Sequence, residues 1–136
     1  MRVQPIVSSS SPAVLLVNPE AGGGHGAAML PAVQDYFASQ AFPVEVMRPR
    51  SPGELAARAQ TAVSDGRRLL VAMGGDGTFQ GLANAVAGQD VVLGIIPAGG
   101  GNDFAAAAGL PEDTVAAAWV IVHGRPRAMD LLRART

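Results

Sequence analysis

The fold is decided by the stretch Leu69-Leu70-Val71-Ala72-Met73-Gly74-Gly75-Asp76-Gly77-Thr78. In it, an apolar run of strand length passes directly into a glycine-rich turn that carries one aspartate. A second apolar segment ends in a turn of the same kind, Pro97-Ala98-Gly99-Gly100-Gly101-Asn102-Asp103. Glycine lets the backbone approach a ligand closely, and successive backbone N–H groups in such turns bind anions. The two turns therefore predict a crevice that faces phosphate groups.

Outside this stretch, short apolar runs alternate with segments of helical periodicity. Strands are predicted at 13–17, 43–47, 69–73, 91–96 and 126–132. Helices are predicted at about 27–39, 51–65, from the first glycine turn to near Gly88, and 111–124, with a short helical turn at 104–108. This alternation indicates crossover units and a mostly parallel sheet, so the predicted fold class is α/β. Ligands bind beyond the carboxyl ends of strands in such sheets, where all three glycine-rich loops would lie.

Two of these helices carry more specific predictions. Ser51 is expected to cap the second helix, with Pro52 in the first turn and Glu54 reaching back as a capping box. The inner face of the last helix is predicted to consist of four residues, namely Val115, Ala118, Trp119 and Val122.

Composition bounds the function classes. The chain has 136 residues, of which 49% are hydrophobic and 15% charged, and this predicts one packed domain. A net charge of −1 gives no reason to expect a nucleic acid partner. Cysteine and lysine are both absent, which excludes thiolate metal sites, cysteine nucleophiles and the lysine-dependent Walker A loop.

No segment has the length of a membrane span or the apolar region of a signal peptide. Residues 1–12, which contain a run of four serines, are expected to be a mobile N-terminal tail. The domain is expected to span residues 13–132, and the protein is expected to be cytoplasmic.

The first glycine turn supports a specific chemistry. Gly74 and Gly75 lack a Cβ, so they can adopt positive φ and let a phosphate lie against backbone N–H groups. Asp76 can hold a magnesium ion, or water around one, that neutralises phosphate charge. Thr78 can cap the next helix, whose N-terminus adds a partial positive charge. The alternative is an ordinary strand-to-helix turn with an aspartate cap.

Other polar residues allow two interpretations each. Asn102 and Asp103 stand where a helix cap belongs and, paired with the first turn, are interpreted as the opposite wall of the crevice. Asp130 lies among apolar residues of the final predicted strand, so it needs either a metal ion in the crevice or solvent as its partner. Both histidines, His25 and His123, are interpreted as structural or solvated.

The loop at residues 22–26 matches the dinucleotide fingerprint in its glycine spacing only. The second predicted strand ends in Met47-Arg48 with no acid for a ribose, so we interpret the match as chance. The loop is expected to be either a flexible flap over phosphates or a solvent loop.

The first turn, followed by Gly94-Ile95-Ile96-Pro97-Ala98-Gly99-Gly100-Gly101-Asn102-Asp103-Phe104-Ala105, resembles the catalytic domain of diacylglycerol kinases. That family includes bacterial lipid kinases and the sphingosine and ceramide kinases. Val17-Asn18-Pro19 resembles its first motif, and Asp130 after Arg127 resembles the aspartate that ends its first domain. The resemblance covers residues 13–132 and implies a three-layer Rossmann-like domain of the type found in NAD kinases and diacylglycerol kinases.

The resemblance implies that ATP binds between the glycine loops and that its γ-phosphoryl group passes to the hydroxyl of a lipid such as diacylglycerol, a step of phospholipid biosynthesis. It implies a catalytic role for Asp76 and a magnesium-linked network of Asp76, Asp103 and Asp130. The residues that it implies for nucleotide binding are Asn18, Gly74, Gly75, Asp76, Gly77, Thr78, Phe79, Gln80, Gly99, Gly100, Gly101 and Asn102.

The chain departs from the family pattern at two places. The family usually has threonine where Gly100 stands and Asn-Glu where Gln80-Gly81 stand. In similar enzymes the lipid site lies in a second, β-rich domain. This chain lacks such a domain, and we expect residues 133–136 to begin a linker to it. The missing domain would bind a lipid substrate at the inner membrane surface. A homodimer stays open.

Two other functions stay open at this point. An NAD kinase relative is disfavoured by Asn102-Asp103-Phe104-Ala105, because NAD kinases use a different sequence there. A non-catalytic nucleotide-binding or interaction module is favoured by the missing second domain, by Gly100 and by Gln80-Gly81.

Overall fold

A computed structural model describes residues 7–18, 24–98 and 114–123 of the chain. The predicted strand at 126–132 and the helical turn at 104–108 lie outside these residues. Strands and helices alternate in the order β1 (Ala13–Val17), α1 (His25–Ser39), β2 (Val44–Met47), α2 (Pro52–Ser64), β3 (Leu69–Gly74), α3 (Asp76–Ala85), β4 (Val92–Pro97) and α4 (Thr114–His123).

The four strands form one sheet in the order β2-β1-β3-β4, and every pair is parallel. The α/β prediction is therefore confirmed. β1, β3 and β4 are buried along their whole length, which is why their sequences are continuous apolar runs and not alternating ones. Consecutive strands build outward in opposite directions from the gap between β1 and β3, so this gap is the topological switch point of the sheet.

Helices cover both faces of the sheet. α1 and α4 pack on one face through Leu30, Val33, Phe37, Ala118 and Ile121. The other face is covered by α2 and α3, whose buried residues include Leu55, Ala59, Phe79 and Leu82. This arrangement is the three-layer domain that the resemblance implied.

The start of α2 confirms one predicted cap and modifies another. The Ser51 hydroxyl accepts a hydrogen bond from the backbone N–H of Glu54 at 3.0 Å. The Glu54 carboxylate reaches back as expected, but it accepts from the N–H of Arg50 at 2.7 Å, one residue before the cap. Its other oxygen accepts from Arg58 at 3.0 Å. The Arg50 hydrogen bond and then the Arg58 hydrogen bond lower the pKa of Glu54 below its ordinary value.

The inner face of α4 differs from the prediction at one residue. Ala118 and Val122 are buried and Val115 is half-buried, whereas Trp119 is 53% exposed and lies against His123 with ring centroids 4.6 Å apart. The prediction that Trp119 belongs to the core is wrong. Nearly every residue of α4 is apolar, so its periodicity does not identify which side faces the sheet.

Ile121 fixes the orientation of α4 on the sheet. Its Cδ1 lies 3.2 Å from where a Cβ on Gly94 would be, so the glycine in β4 leaves room for the helix. Within the described part of the chain, no helix is both long and apolar enough to cross a bilayer.

Part of the segment predicted as a tail packs against the domain. Val7 is buried in the cluster under α1 and α4, and Ser8 and Ser11 exchange backbone hydrogen bonds of 3.0 and 3.1 Å. Pro12 accepts a hydrogen bond from the Arg67 guanidinium at 3.3 Å, and the same guanidinium pairs with Glu45. The domain boundaries themselves stay predictions.

Candidate functional site

The predicted crevice lies at the carboxyl ends of β1, β3 and β4. Asn18 follows β1, Gly75 and Asp76 follow β3, and Ala98 follows β4. Two backbone hydrogen bonds extend the sheet past the strand ends: the N–H of Asn18 donates to Met73 at 3.0 Å, and that of Ala98 donates to Gly74 at 2.9 Å. Asn18 and the first glycine turn therefore meet at the topological switch point, where ligands bind in open α/β sheets.

α3 begins one residue after the end of β3. Gly75 is its N-cap, in an extended conformation and without a side-chain cap, and Asp76 is its first residue. Thr78 is not the cap that the sequence allowed it to be, because it already lies within the first turn of the helix. The first bond from the helix back to its cap runs from the N–H of Phe79 to Gly75 at 3.2 Å. The N–H groups of Asp76, Gly77 and Thr78 come before Phe79 in the first turn of the helix. Backbone N–H groups at a helix N-terminus favour the binding of an anion.

The turn glycines do not use the positive φ that the lack of a Cβ allows them. Gly75 has φ of −96°, and neither Gly74 nor Gly77 has positive φ. Gly74 is required for a different reason, because a Cβ there would lie 2.7 Å from Thr78 Oγ1 and 3.0 Å from Thr78 Cβ. A Cβ on Gly77 would meet nothing within 4 Å. The space in front of Gly77 is therefore open to a ligand, whereas the lack of a side chain at Gly74 leaves room for the Thr78 side chain.

The Asn18 side chain bridges the switch point. Its amide nitrogen donates to Thr78 Oγ1 at 3.4 Å in a half-buried setting. A threonine hydroxyl that accepts one bond still has its own hydrogen to donate, so Thr78 can donate to a phosphate oxygen. Sequence reasoning assigned both residues to nucleotide binding but missed this bond, since they are 60 positions apart.

Among the residues that the structure describes, Asp76 is the acidic residue at the crevice. It is half-buried and stands in the first turn of α3, where a carboxylate interacts favourably with the helix dipole. Its carboxylate, with the Thr78 hydroxyl and the Asn18 amide oxygen on the same edge, supplies the oxygen chemistry that Mg²⁺ prefers. Magnesium usually takes one or two carboxylates plus substrate phosphates, so these residues fit such an ion. Among the described residues no group of three acidic, histidine or cysteine side chains forms a metal cluster.

Two further predicted site residues, Phe79 and Gln80, differ in accessibility. The Phe79 side chain is buried in the core under α2 and α3, whereas Gln80 is exposed. Gly81, where the family usually has glutamate, lies against α2: a Cβ there would be 3.8 Å from Leu55 Cδ2. The remaining predicted site residues lie outside the described residues, namely Gly99, Gly100, Gly101, Asn102, Asp103 and Asp130.

The profile of the diacylglycerol kinase catalytic domain matches residues 12–134. The chain belongs to this family. We therefore do not retain the NAD kinase alternative, which the sequence Asn102-Asp103-Phe104-Ala105 had already disfavoured.

Individual members of the diacylglycerol kinase family are similar over most of the chain. A Cronobacter sakazakii protein named "Probable lipid kinase YegS-like" is 34% identical over 96 residues, which are 68% of this chain and 32% of that protein. A diacylglycerol kinase of Mycobacterium tuberculosis is 44% identical over 73 residues, 53% of this chain and 24% of that protein. The chain thus spans about a third or less of these relatives.

The fold agrees with a solved member of the family. A crystal structure of a diacylglycerol kinase from Bacillus anthracis superposes with a TM-score of 0.72 at 30% identity. The match covers 82% of this chain and 39% of that one. The sheet and the helices described above therefore match part of that longer chain.

Proposed function

We propose that this chain is the nucleotide-binding domain of a lipid kinase, which binds ATP with Mg²⁺ and supports transfer of the γ-phosphoryl group to the hydroxyl of a lipid such as diacylglycerol. The observation that carries the proposal is the Asn18–Thr78 hydrogen bond at the switch point, in front of the N-terminus of α3. It places an amide, a hydroxyl and helix N–H donors at one edge in a chain of the diacylglycerol kinase family.

Phosphoryl transfer needs positioning and charge stabilisation more than covalent chemistry from the protein. In this proposal the N–H groups of Gly77 and Thr78 bind phosphate oxygens, and Gly77 keeps the approach open because it has no side chain. The Thr78 hydroxyl donates to a phosphate oxygen while Asn18 fixes its orientation. Gly74 and Gly75 place the turn.

Asp76 is proposed to hold the magnesium ion, together with Asp103 and Asp130. When bound, the ion would neutralise charge on the phosphate oxygens during transfer. Gly99, Gly100, Gly101 and Asn102 are proposed to form the opposite wall, and Gln80 to lie at its rim. The lipid and its membrane surface are proposed to be bound by another part of the kinase, outside the nucleotide-binding domain.

Phe79 has a smaller role in the proposed site than the nucleotide binding that the family resemblance implied. Its side chain is in the core, and its N–H donates to Gly75. We propose that it anchors the first turn of α3 on the sheet and does not contact the nucleotide through its ring.

The test compares Asp76→Asn with Asp35→Asn, because Asp35 is an exposed aspartate on α1 away from the crevice. Binding of ATP in the presence of magnesium is measured by calorimetry, and transfer of label from ATP is measured on diacylglycerol vesicles with a longer protein that contains this domain. We expect Asp76→Asn to lose magnesium-dependent ATP binding and transfer, and Asp35→Asn to retain both.

A non-catalytic nucleotide-binding module remains the second reading because of Gly100 and Gly81. It predicts ATP binding that depends on Asp76, with no label transferred to any lipid by the longer protein. Equal ATP binding by Asp76→Asn and the unchanged chain would refute both readings.

A further inference from the structure

The described arginines divide into two groups by their partners. Arg58, Arg67 and Arg68 each form an ion pair with an acid, at 3.0, 2.5 and 3.6 Å. Arg48 and Arg50 are exposed, and neither forms an ion pair with any described acid. Arg58 lies within α2. Arg67 and Arg68 precede β3 at the amino edge of the sheet, whereas Arg48 and Arg50 follow β2 at the carboxyl edge.

The register puts the second group beside the crevice. Met47 at the end of β2 pairs with Leu16 in β1, and Val17 in β1 pairs with Met73 in β3. Arg48 is therefore level with the last residue of β1, immediately before Asn18. Neighbouring strands lie about 4.8 Å apart, so the end of β2 is about 10 Å from the end of β3 and its glycine turn.

The backbone that carries these arginines is held in place. Pro49 between them is buried, and the N–H of Arg50 donates to the Glu54 carboxylate at 2.7 Å. Ser51, the next residue, is the N-cap of α2. Cations before a helix N-terminus oppose the helix dipole, so two arginines there are a local conflict, and the Glu54 carboxylate counteracts it beside Arg50. Sequences keep such conflicts mostly where function requires them.

We propose that Arg48 and Arg50 form an anion subsite at the β2 end of the crevice, which binds a phosphate group of the nucleotide. The proposal rests on the proposed function, because it extends the same crevice by one strand. The chain has no lysine, and the other described arginines are paired with acids. Arg48 and Arg50 are thus the described cations at this edge that form no ion pair, and of the two Arg50 is also attracted electrostatically by the Glu54 carboxylate.

A phosphate could also come from a lipid headgroup, so the experiment has two arms. In the first, calorimetry on the 136-residue chain measures binding of magnesium-ATP, inorganic triphosphate and adenosine. In the second, sedimentation measures binding to phosphatidylcholine vesicles with and without phosphatidic acid. The variant is Arg48→Gln/Arg50→Gln. The matched control is Arg68→Gln, which removes an exposed arginine at the opposite edge, and thermal unfolding checks that all variants fold.

We expect the double variant to bind ATP and triphosphate about tenfold more weakly, as for two exposed charge contacts. Its adenosine binding should be unchanged, and its ATP affinity should depend less steeply on salt. A selective loss of phosphatidic acid binding with unchanged ATP affinity would keep the anion subsite and assign it to a lipid phosphate, which overturns the nucleotide assignment.

Unchanged binding of ATP, triphosphate and phosphatidic acid vesicles by the double variant would overturn the subsite entirely. The proposed function would survive that result if Asp76→Asn still lost ATP. Conversely, an unchanged chain that binds no ATP would sink the proposed function, and the vesicle arm alone would then decide the subsite. The two failures are therefore distinguishable.

Discussion

The Thr78 side chain occupies the space in which a Cβ on Gly74 would lie, with Oγ1 2.7 Å and Cβ 3.0 Å from that position. Gly74 is the last residue of β3 and Thr78 belongs to the first turn of α3. The end of the strand is therefore packed closely against the start of the helix, and this packing sets the position of the Thr78 hydroxyl at the crevice.

Gly74→Ala should destabilise the fold, whereas Gly77→Ala should not. The added methyl at residue 74 collides with Thr78, and overpacking of this kind costs about 1–3 kcal/mol. At residue 77 the methyl meets open space, so the free energy of unfolding should stay the same or rise by up to about 1 kcal/mol. Urea unfolding checks both, and equal stabilities of the two variants would contradict the contact. Gly77→Ala should still bind ATP more weakly, because the methyl narrows the approach to the helix N–H groups.

Thr78→Val should reduce ATP affinity about tenfold or more, because it removes a hydroxyl donor to a charged oxygen while nearly keeping the side-chain volume. Thr78→Ser keeps the hydroxyl and should bind ATP close to normally. Asn18→Ala should weaken binding less than Thr78→Val, since Asn18 orients the hydroxyl through the 3.4 Å bond. A Thr78→Val variant with normal ATP affinity would show that the hydroxyl does not contact the nucleotide.

Gly81→Ala should stabilise the chain by about 0.5–1 kcal/mol. Glycine within a helix costs backbone entropy relative to alanine, and the new methyl would lie at ordinary contact distance, 3.8 Å, from Leu55 Cδ2. Thermal unfolding measures the change. A loss of stability would mean that α2 and α3 pack more closely than this distance indicates.

Trp119 should be dispensable for stability, while Ile121 on the same helix should not. Trp119→Gln should change the free energy of unfolding by less than about 0.5 kcal/mol, as for exposed sites. Ile121→Ala should cost about 2–5 kcal/mol, because Ile121 is buried against Gly94. Trp119 is the single tryptophan of the chain, so acrylamide should quench its fluorescence efficiently in the folded state. A strongly protected emission would contradict its exposure.

The Glu54 cap should make stability depend on pH in the acid range. Its pKa is lowered in the folded state from an ordinary value of 4.5. Its contribution is therefore fully present above that value and is lost as the pH falls through the lower, folded pKa. Glu54→Gln should be less stable than the unchanged chain at pH 7, and the difference should shrink below pH 4.5. Urea unfolding at several pH values tests this, and a constant difference would exclude the carboxylate as its origin.

The sequence by itself determined the elements of the fold and the place of the glycine turns. Apolar runs of strand length, helical periodicity and the Ser51 cap are local signals, because each depends on residues within a few positions of one another. They were sufficient to predict the parallel α/β sheet and to put Asn18 and Gly74–Thr78 at its carboxyl edge. The family motif added the function class.

Only the tertiary structure decided which distant residues meet. The order of the strands brings Asn18 to Thr78 and puts the end of β2 beside β1, and the packing of α4 leaves Trp119 outside. Local patterns carry no information on these contacts, since each depends on how whole strands and helices are arranged across the sheet. Gly74 shows the same limit. The sequence identified a glycine in the turn, but only the structure shows why a side chain would not fit there: the space is occupied by Thr78 of the next helix, and the backbone is not in a positive-φ conformation.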